Sequence, residues 1–287
     1  MLLAIMLAWG LNIPVVKALT QVLDEIWVGT LRMVVASAIL TVCLLLRDRR
    51  LPRIDRRQLG ALLIAGFMMV YANQLLFSRG MHLSAATNAS LVMALSPALS
   101  ALVSALVFRE RVSGIRMAGL ALGLSGVALV ILQHEGRAVG SAGKGELALF
   151  AALLSFVLGG AIVQRLAQRL DALVIGWGIY FAGTLMLVLH AAIENRGSLL
   201  PPQSMDLRTW MLVLYSGVIG TAVSNVGWYY AISSVGMMRS ALFFYWLPIF
   251  GIGFSVVLFG AQLSVWHLVG LLLVLAGTWL GTARPKH

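Results

Sequence analysis

Amide, hydroxyl and aromatic side chains carry most of the chemistry that this sequence offers, and they lie within long apolar stretches. The candidates for contact with a small polar solute are Asn12, Tyr71, Gln74, Asn88, Ser96, Trp177, Tyr180, Asn225, Tyr245 and Trp246. Amides both donate and accept hydrogen bonds, and ring faces accept apolar groups or an ammonium group. We therefore predict that these side chains form a site for a neutral or zwitterionic molecule.

Each of these residue types also has a structural explanation. Amides inside a membrane often bond between helices, a contact worth about 0.6 kcal/mol on average. Trp and Tyr commonly form belts at the membrane interface. Tyr245 and Trp246 lie within a turn of Pro248, at a depth that such a belt does not reach, and we interpret them as a cavity wall. Gln74 and Asn225 are favoured as polar contacts because an internal repeat, described below, makes them equivalent.

Two further residues inside apolar stretches are charged or titratable. Arg32 either anchors a substrate carboxylate or pairs with helix carbonyls and extends towards the nearby helix end, and the sequence slightly favours the structural role. Histidine is the residue type that commonly carries protons in transport and catalysis, and His190 lies within an apolar run, so it is the candidate for energy coupling.

The sequence carries no recognisable catalytic or metal-binding pattern. All ten acidic residues fall in loops or at the ends of apolar runs, and there is no HExxH motif and no phosphate-binding glycine loop. The single cysteine, Cys43, offers neither a disulfide nor a cysteine metal site. We predict a protein that is not an enzyme and takes no metal or cofactor.

Composition indicates a membrane protein. The chain has 287 residues, of which 60% are hydrophobic and 11% charged, with a mean hydropathy of +0.94. Soluble domains are about 25% charged. The formal net charge of +11 does not indicate nucleic-acid binding, because the basic residues lie in short loops between apolar runs. The runs are long enough for spanning helices, and they lack the alternating polarity of barrel strands.

Ten spans are predicted, which makes the chain an all-α polytopic membrane protein. They cover about 2–19, 27–46, 58–78, 84–108, 114–133, 146–165, 173–193, 210–231, 240–260 and 264–283. The N-terminal run lacks a basic start, so we interpret it as the first span and not as a signal peptide.

The chain contains an internal duplication. Two apolar segments, 83–111 and 234–262, each carry a proline near the middle, and Pro97 and Pro248 lie 151 residues apart. The same offset relates Gln74 to Asn225. We predict a first five-helix repeat at 1–133, a connecting loop at 134–145 and a second repeat at 146–287.

Charge asymmetry predicts the orientation of the chain. Fourteen lysines and arginines fall on the side that holds both termini and the loop 47–57, against six on the side that holds the loop 194–209. The more basic side is the cytoplasm, here of the bacterial inner membrane. Because each repeat has five spans, the second must be inverted relative to the first. Inverted repeats are typical of secondary transporters, with a site near the midplane and access alternated by rocking of one half.

Prolines and glycines suggest which helices move and which pack. Pro97 and Pro248 each remove a backbone donor and are either hinges or static kinks, and the matched pair favours hinges. Gly119 and Gly123, like Gly277 and Gly281, form a small-xxx-small pattern that is typical of close helix contacts. Dimerisation is the other explanation for these glycines, so a monomer or a weak dimer is expected.

These segments resemble a known family. WGLNIPVVK at 9–17, the segments 90–130 and 217–260, and LVGLLLVLAG at 268–277 are similar to the EamA group of the drug/metabolite transporter superfamily. The resemblance implies a small-molecule exporter in which the last helices of the two repeats pack as a scaffold. The aromatic-rich second half is similar to that of YddG-type amino-acid exporters.

The predicted function is export of a small metabolite, most favourably a neutral amino acid with an aromatic or large aliphatic side chain. An interior without acids does not compensate a cationic drug, and it lacks the basic cluster that phosphorylated cargo requires. The alternatives are export of another metabolite or drug, or passive conduction through a channel. We expect membrane lipid to surround the protein, and we do not expect it to bind nucleic acid.

Overall fold

The computed structural model describes residues 1–48, 54–107, 114–132, 143–195 and 205–282, and these residues form helices joined by short turns. The helices are α1 Leu2–Leu19, α2 Glu25–Asp48, α3 Arg56–Gly66, α4 Asn73–Leu83, α5 Ala86–Met93, α6 Ser96–Val107, α7 Gly114–Leu132, α8 Lys144–Leu166, α9 Ala172–Glu194, α10 Leu207–Gly217, α11 Ser224–Val235, α12 Met237–Ala241, α13 Trp246–Phe259 and α14 Val265–Thr282. The predicted all-helical membrane fold is confirmed.

The lengths of the helices suit a bilayer. Eight stretches of the described chain are long and apolar enough to cross it: Leu2–Leu19, Glu25–Arg47, Arg56–Leu83, Ala86–Val107, Lys144–Leu166, Ala172–Glu194, Leu207–Val235 and Arg239–Leu258. Two shorter apolar stretches, Met117–Gly126 and Val265–Leu280, occupy the predicted fifth and tenth spans, so the count of ten stays a prediction. The predicted connecting loop 134–145 and the loops 47–57 and 194–209 lie partly outside the described residues.

Aspartates begin several of these helices. The carboxylates of Asp55 and Asp206 cap α3 and α10, and the two positions are 151 residues apart. Asp171 caps α9 and also accepts a hydrogen bond from Arg47 Nη1 at 2.9 Å, which ties the end of α2 to the start of α9. Partial burial opposes ionisation of Asp171, but the bonds from Arg47 and from the backbone of α9 outweigh it and lower the pKa.

Two π-helical segments interrupt the third and eighth spans at equivalent positions. Phe67–Ala72 joins α3 to α4, and Val218–Val223 joins α10 to α11, at the 151-residue offset. A π turn leaves carbonyls with displaced partners, and nearby hydroxyls bond to them: Ser155 Oγ donates to Met68 O at 2.7 Å, and Thr221 Oγ1 donates to Ser216 O at 2.7 Å. Such turns are frequent at functional sites.

The fourth and ninth spans are broken, where the sequence suggested one continuous kinked helix. α5 ends at Met93, and α6 begins at Ser96 with Pro97 in its first turn. In the second half a 3₁₀ turn, Leu242–Tyr245, precedes α13, whose third residue is Pro248. A proline lacks the N–H of a continuous ladder but fits the first turn of a new helix, so the breaks lie just before the prolines.

Contacts between the halves come in matched pairs. α1 packs on α13, and the equivalent α8 packs on α5 and α6. α3 packs on α9, and the equivalent α10 packs on α2, while α2 meets α9 and α7 meets α14. The described chain therefore has approximate twofold symmetry, with a core of helices from both halves. Its outer surface carries large exposed apolar side chains, such as Val257, Leu272 and Trp279.

Candidate functional site

A central cavity of about 700 Å³, mouth included, lies between the two halves. It is lined by side chains from both: Trp9, Asn12, Ile13, Arg32, Met69, Asn73, Gln74, Phe77, Met93, Leu153, Phe156, Tyr180, Gly220, Thr221, Asn225, Phe244 and Leu247. Small-ligand pockets have a similar mixture of apolar walls with a few polar groups. The two π-helical segments contribute Met69, Gly220 and Thr221, so the irregular backbone borders this space.

A chain of hydrogen bonds crosses one wall of the cavity. Ser216 Oγ donates to Asn12 Oδ1 and accepts from Arg32 Nε. Arg32 Nη1 donates to Gln74 Oε1 at 3.0 Å, and Gln74 Nε2 donates to Asn73 Oδ1 at 3.0 Å. The chain ends where the Asn73 amide bonds to a backbone carbonyl of α8 at 2.8 Å. These bonds join α1, α10, α2, α4 and α8, and they hold the amides and the guanidinium at fixed positions.

Four rings meet at the end of the cavity nearer the N-terminus. Trp9, Phe156, Trp228 and Phe244 come from four different spans, and their six pairwise centroid distances range from 5.2 to 6.4 Å. We call this group the aromatic cluster. Trp228 and Phe244 are 2% and 3% exposed. Edge and tilted contacts of this kind stabilise the packing of the four rings against one another.

A second, wider space lies at the opposite end and is called the vestibule. It has a volume of about 1180 Å³ with the open solvent at its mouth included, and it is bounded by the turn 20–26, Arg79, His82, His190 and Glu194, among others. Lys17 Nζ donates to Met81 O at 2.7 Å at this end, which ties the last turn of α1 to the last turn of α4.

Four of the ten predicted contact residues line the central cavity: Asn12, Gln74, Tyr180 and Asn225. Asn225 is held by its own helix, since its Nδ2 donates to Thr221 O at 3.0 Å. Gln74 and Asn225 are equivalent in the repeat, and the structure places both in the same cavity.

Three polar candidates lie outside the cavity. Asn88 donates to Glu146 Oε1 at 2.9 Å at the start of α8, and Ser96 is buried in the first turn of α6. The Tyr71 hydroxyl contacts His190 Nδ1 at 3.2 Å, and the other ring nitrogen of that histidine lies 3.3 Å from the carboxylate of the next turn. His190 therefore belongs to the wall of the vestibule and not to the central cavity.

The aromatic candidates of the second half need correction. Trp246 is 45% exposed and stacks on Phe250 at the outside of the bundle, and Tyr245 beside it does not line the cavity either. The ring that enters the cavity from this segment is Phe244, because residues two positions apart in a helical turn point to nearly opposite faces. Trp177 stacks on a neighbouring ring of α9, also away from the cavity.

Several cavity residues were not among the predicted contacts. Arg32 was given a structural role, and Trp9, Phe156 and Phe244 were not considered as a group. A signal for the rings was present, because Trp9 and Phe156 occupy equivalent positions in α1 and α8, which end at Leu19 and Leu166. Asn73 and Thr221 also line the cavity; Asn73 is adjacent to Gln74 in the sequence, and Thr221 lies one turn before Asn225.

Comparisons with known proteins agree with this arrangement. The model of the EamA-like transporter family matches residues 1–132 and 143–282. An uncharacterized transporter of Synechocystis sp. is 24% identical, with 99% of this chain and 89% of that protein aligned. A probable terminal-alkyne amino-acid exporter of Streptantibioticus cattleyicolor is 27% identical over 88% of this chain and 82% of its own length. A crystal structure with 19% identity superposes with a TM-score of 0.68 over 96% of this chain and 93% of that chain, which shows a shared fold. Since the family match covers both halves, the chain belongs to the EamA-like transporter family.

Proposed function

We propose that this membrane transporter exports neutral amino acids with aromatic or large aliphatic side chains. It does so as a secondary transporter, by alternating access through the central cavity. The observation that carries the proposal is that both halves build one cavity from a polar wall and an aromatic end. A binding space at the interface of two repeats is the arrangement in which rocking of one half changes the side from which the site is reached.

The lining fits an amino acid better than the other cargo classes. The amides of Gln74, Asn73 and Asn225 offer donors and acceptors, and the aromatic cluster offers an apolar surface beside them. In the described chain no carboxylate lines the cavity, which disfavours multivalent or quaternary cations. The relative from Streptantibioticus cattleyicolor, a probable exporter of an amino acid, supports the same class.

We interpret the contacts within the aromatic cluster as a closed end of the cavity. α1 enters the bundle from that end, and charge asymmetry assigns it to the cytoplasm. We interpret the structure as the state that is closed towards the cytoplasm, with the vestibule on the outer side. Both termini are then cytoplasmic, and the repeats at 1–133 and 146–287 are the two units that rock.

Energy coupling is proposed to be independent of an acidic side chain in the cavity. Glu146 is 5% exposed, but it lies in the first turn of α8 and accepts hydrogen bonds from Ser84 and Asn88. Through these two bonds Glu146 links the first turn of α8 to the start of the fourth span. His190 is the remaining candidate, at the vestibule.

Purified protein in liposomes tests the proposal. Counterflow of labelled phenylalanine and leucine should saturate with concentration, and a small amino acid such as glycine should be carried more slowly. Flux that does not saturate would indicate a passive channel, and transport of quaternary amines or nucleotide sugars without any neutral amino acid would refute the proposed cargo.

Orientation is tested separately in cells. Single cysteines introduced in a Cys43→Ser background should react with an impermeant maleimide from outside in the loop 194–209 and not in the loop 47–57. The opposite pattern would overturn the assignment of the sides.

A further inference from the structure

We propose that Arg32 binds the carboxylate of the cargo, so that a carboxylate is the group that a solute must carry to be transported, whether or not it has an amine. This inference rests on the proposed function and names the chemical group of the cargo that the cavity recognises. The sequence favoured a structural role for this arginine, and four features of the structure favour binding.

The first feature is burial without an acidic partner. Arg32 is 2% exposed and lies about two turns into α2, which begins at Glu25. Among the described residues no Asp or Glu oxygen lies within 4.0 Å of its guanidinium. A buried cation is costly unless it is paired, and inside a membrane such a charge usually faces a cavity or a functional partner.

The second feature is spare hydrogen-bonding capacity. A guanidinium has five N–H groups. Arg32 uses Nε towards Ser216 and one Nη1 hydrogen towards Gln74, and in the described chain the other three have no protein acceptor. Both partners are neutral, so they orient the guanidinium without cancelling its charge. A carboxylate is the planar anion that accepts two parallel N–H groups from arginine.

The third feature is that Arg32 lines the central cavity, together with Tyr180. Arg32 therefore borders the space that is proposed to receive the cargo. Three rings of the aromatic cluster, Trp9, Phe156 and Phe244, line the same cavity, so a carboxylate on Arg32 leaves an apolar side chain of the cargo within reach of these rings.

The fourth feature is the broken symmetry of the two halves. A Cβ built on Gly217 would lie 3.0 Å from the carbonyl oxygen of Arg32, and one built on Gly66 would lie 2.9 Å from that of Ile179. Since Gly66 and Gly217 are repeat mates, Arg32 and Ile179 hold equivalent positions. Ile179 is fully buried and apolar, so the packing of these helices does not require an arginine.

The partners of Arg32 show the same asymmetry. Ser216 corresponds to Ala65 at the 151-residue offset, and Asn12 corresponds to Gly159, as shown by the contacts Asn12–Gly220 and Gly159–Met69. The part of the polar wall formed by Asn12, Ser216 and Arg32 therefore has no polar counterpart across the pseudo-twofold axis, whereas Gln74 is matched by Asn225. This unmatched part gives the cavity one cationic region beside its aromatic end, which matches an amphipathic carboxylate.

The experiment uses four probes that differ by one group. Phenylalanine carries both charges, 3-phenylpropionate lacks the amine, and phenylethylamine and phenylalaninamide lack the carboxylate. In liposomes, 3-phenylpropionate should compete with labelled phenylalanine at similar concentrations, and the two amines should not.

Arg32→Gln should raise KM for phenylalanine about tenfold or more, with a smaller change in kcat, since a charged hydrogen-bonded pair is lost. Arg32→Lys should restore part of the affinity.

The matched control is Arg47→Gln, the same substitution at an arginine whose ion pair with Asp171 is exposed at the bundle surface. It should leave KM and the order of the four probes unchanged. If Arg32→Gln and Arg47→Gln give the same KM as the unaltered protein, or if phenylethylamine competes as well as 3-phenylpropionate, the inference is wrong while amino-acid transport stands. If Arg32→Gln does not fold, the competition profile of the unaltered protein decides.

Ligand binding provides a readout that is independent of transport. In detergent, 3-phenylpropionate should raise the Tm of the unaltered protein and not that of Arg32→Gln. If no neutral amino acid is transported, the proposed function fails, and the Tm shift alone then supports or overturns the role of Arg32. Stabilisation by chloride or inorganic phosphate, but not by 3-phenylpropionate, would identify a fixed counter-ion and overturn the proposal.

Discussion

Removal of one ring from the aromatic cluster should open the cavity towards the side that carries the N-terminus. Trp9 is the suitable residue, because it contacts the other three rings at centroid distances of 6.0, 5.5 and 5.5 Å and is itself only partly buried. Trp9→Ala removes all three contacts and leaves the backbone of α1 unchanged.

The size of the effect follows from these contacts. An aromatic pair contributes about 0.5–1.5 kcal/mol beyond its buried area, so three pairs give about 1.5–4.5 kcal/mol. If the rings meet only in the closed state, their loss shifts the equilibrium towards the open state by the same amount. A free-energy change of about 1.4 kcal/mol alters an equilibrium constant tenfold, so the ratio of open to closed protein should rise about ten- to a thousandfold.

Accessibility of a cysteine in the cavity measures this shift. Leu153 is 1% exposed and lines the cavity next to Phe156. Leu153→Cys in a Cys43→Ser background, which removes the exposed native thiol, should react slowly with an impermeant maleimide from the N-terminal side. Adding Trp9→Ala should increase the labelling rate of this cysteine at least tenfold. The increase ends where the open state already predominates.

Trp246→Ala is the matched control, because this tryptophan is 45% exposed and stacks on a single ring, Phe250, at 5.9 Å. It should leave the labelling rate within about twofold, since the lost contact lies outside the cluster. A folded Trp9→Ala protein with an unchanged labelling rate would show that the rings do not hold this end closed. Equal acceleration by both variants would show general loosening.

Three further predictions concern packing, the helix breaks and coupling. Gly277→Leu should lower the Tm by several degrees, because a Cβ at Gly277 would lie 2.4 Å from the backbone nitrogen of Gly123, well inside contact distance; an unchanged Tm would argue against this contact as a scaffold. Pro97→Ala or Pro248→Ala should reduce the transport rate more than the folded yield, and full activity of the double variant would make both prolines static features. His190→Ala should remove any dependence of transport on a proton gradient, and a strong dependence that survives would refute coupling through this residue.

Local patterns predicted the helices well. Asp55 and Asp206 begin helices where the apolar runs begin, and the repeat offset recurs in the paired π segments. Each of the two proline-containing segments was expected to form one long helix, and the structure breaks each helix just before Pro97 or Pro248. A proline near the middle of an apolar run is compatible with either geometry.

Selection of the cavity residues was less complete. Asn12, Gln74, Tyr180 and Asn225 line one cavity and their contact with a substrate stays a prediction, whereas Trp246 was assigned to a cavity wall and lies at the outside of the bundle. Position next to a proline fixes depth in the membrane but not the face of the helix that a side chain occupies.

By itself the sequence determined the membrane environment, the approximate spans and the duplication, because these depend on local hydropathy and on similarity at a fixed offset. Only the tertiary structure decided which polar groups share one space. A π turn adds one residue to a helical turn and rotates every later side chain by about 100°, so Gln74 and Asn225 face the cavity through a feature that apolar periodicity does not reveal. The role of Arg32 depended on the fold in the same way, since its neutral partners Ser216 and Gln74 are brought to it from two other spans.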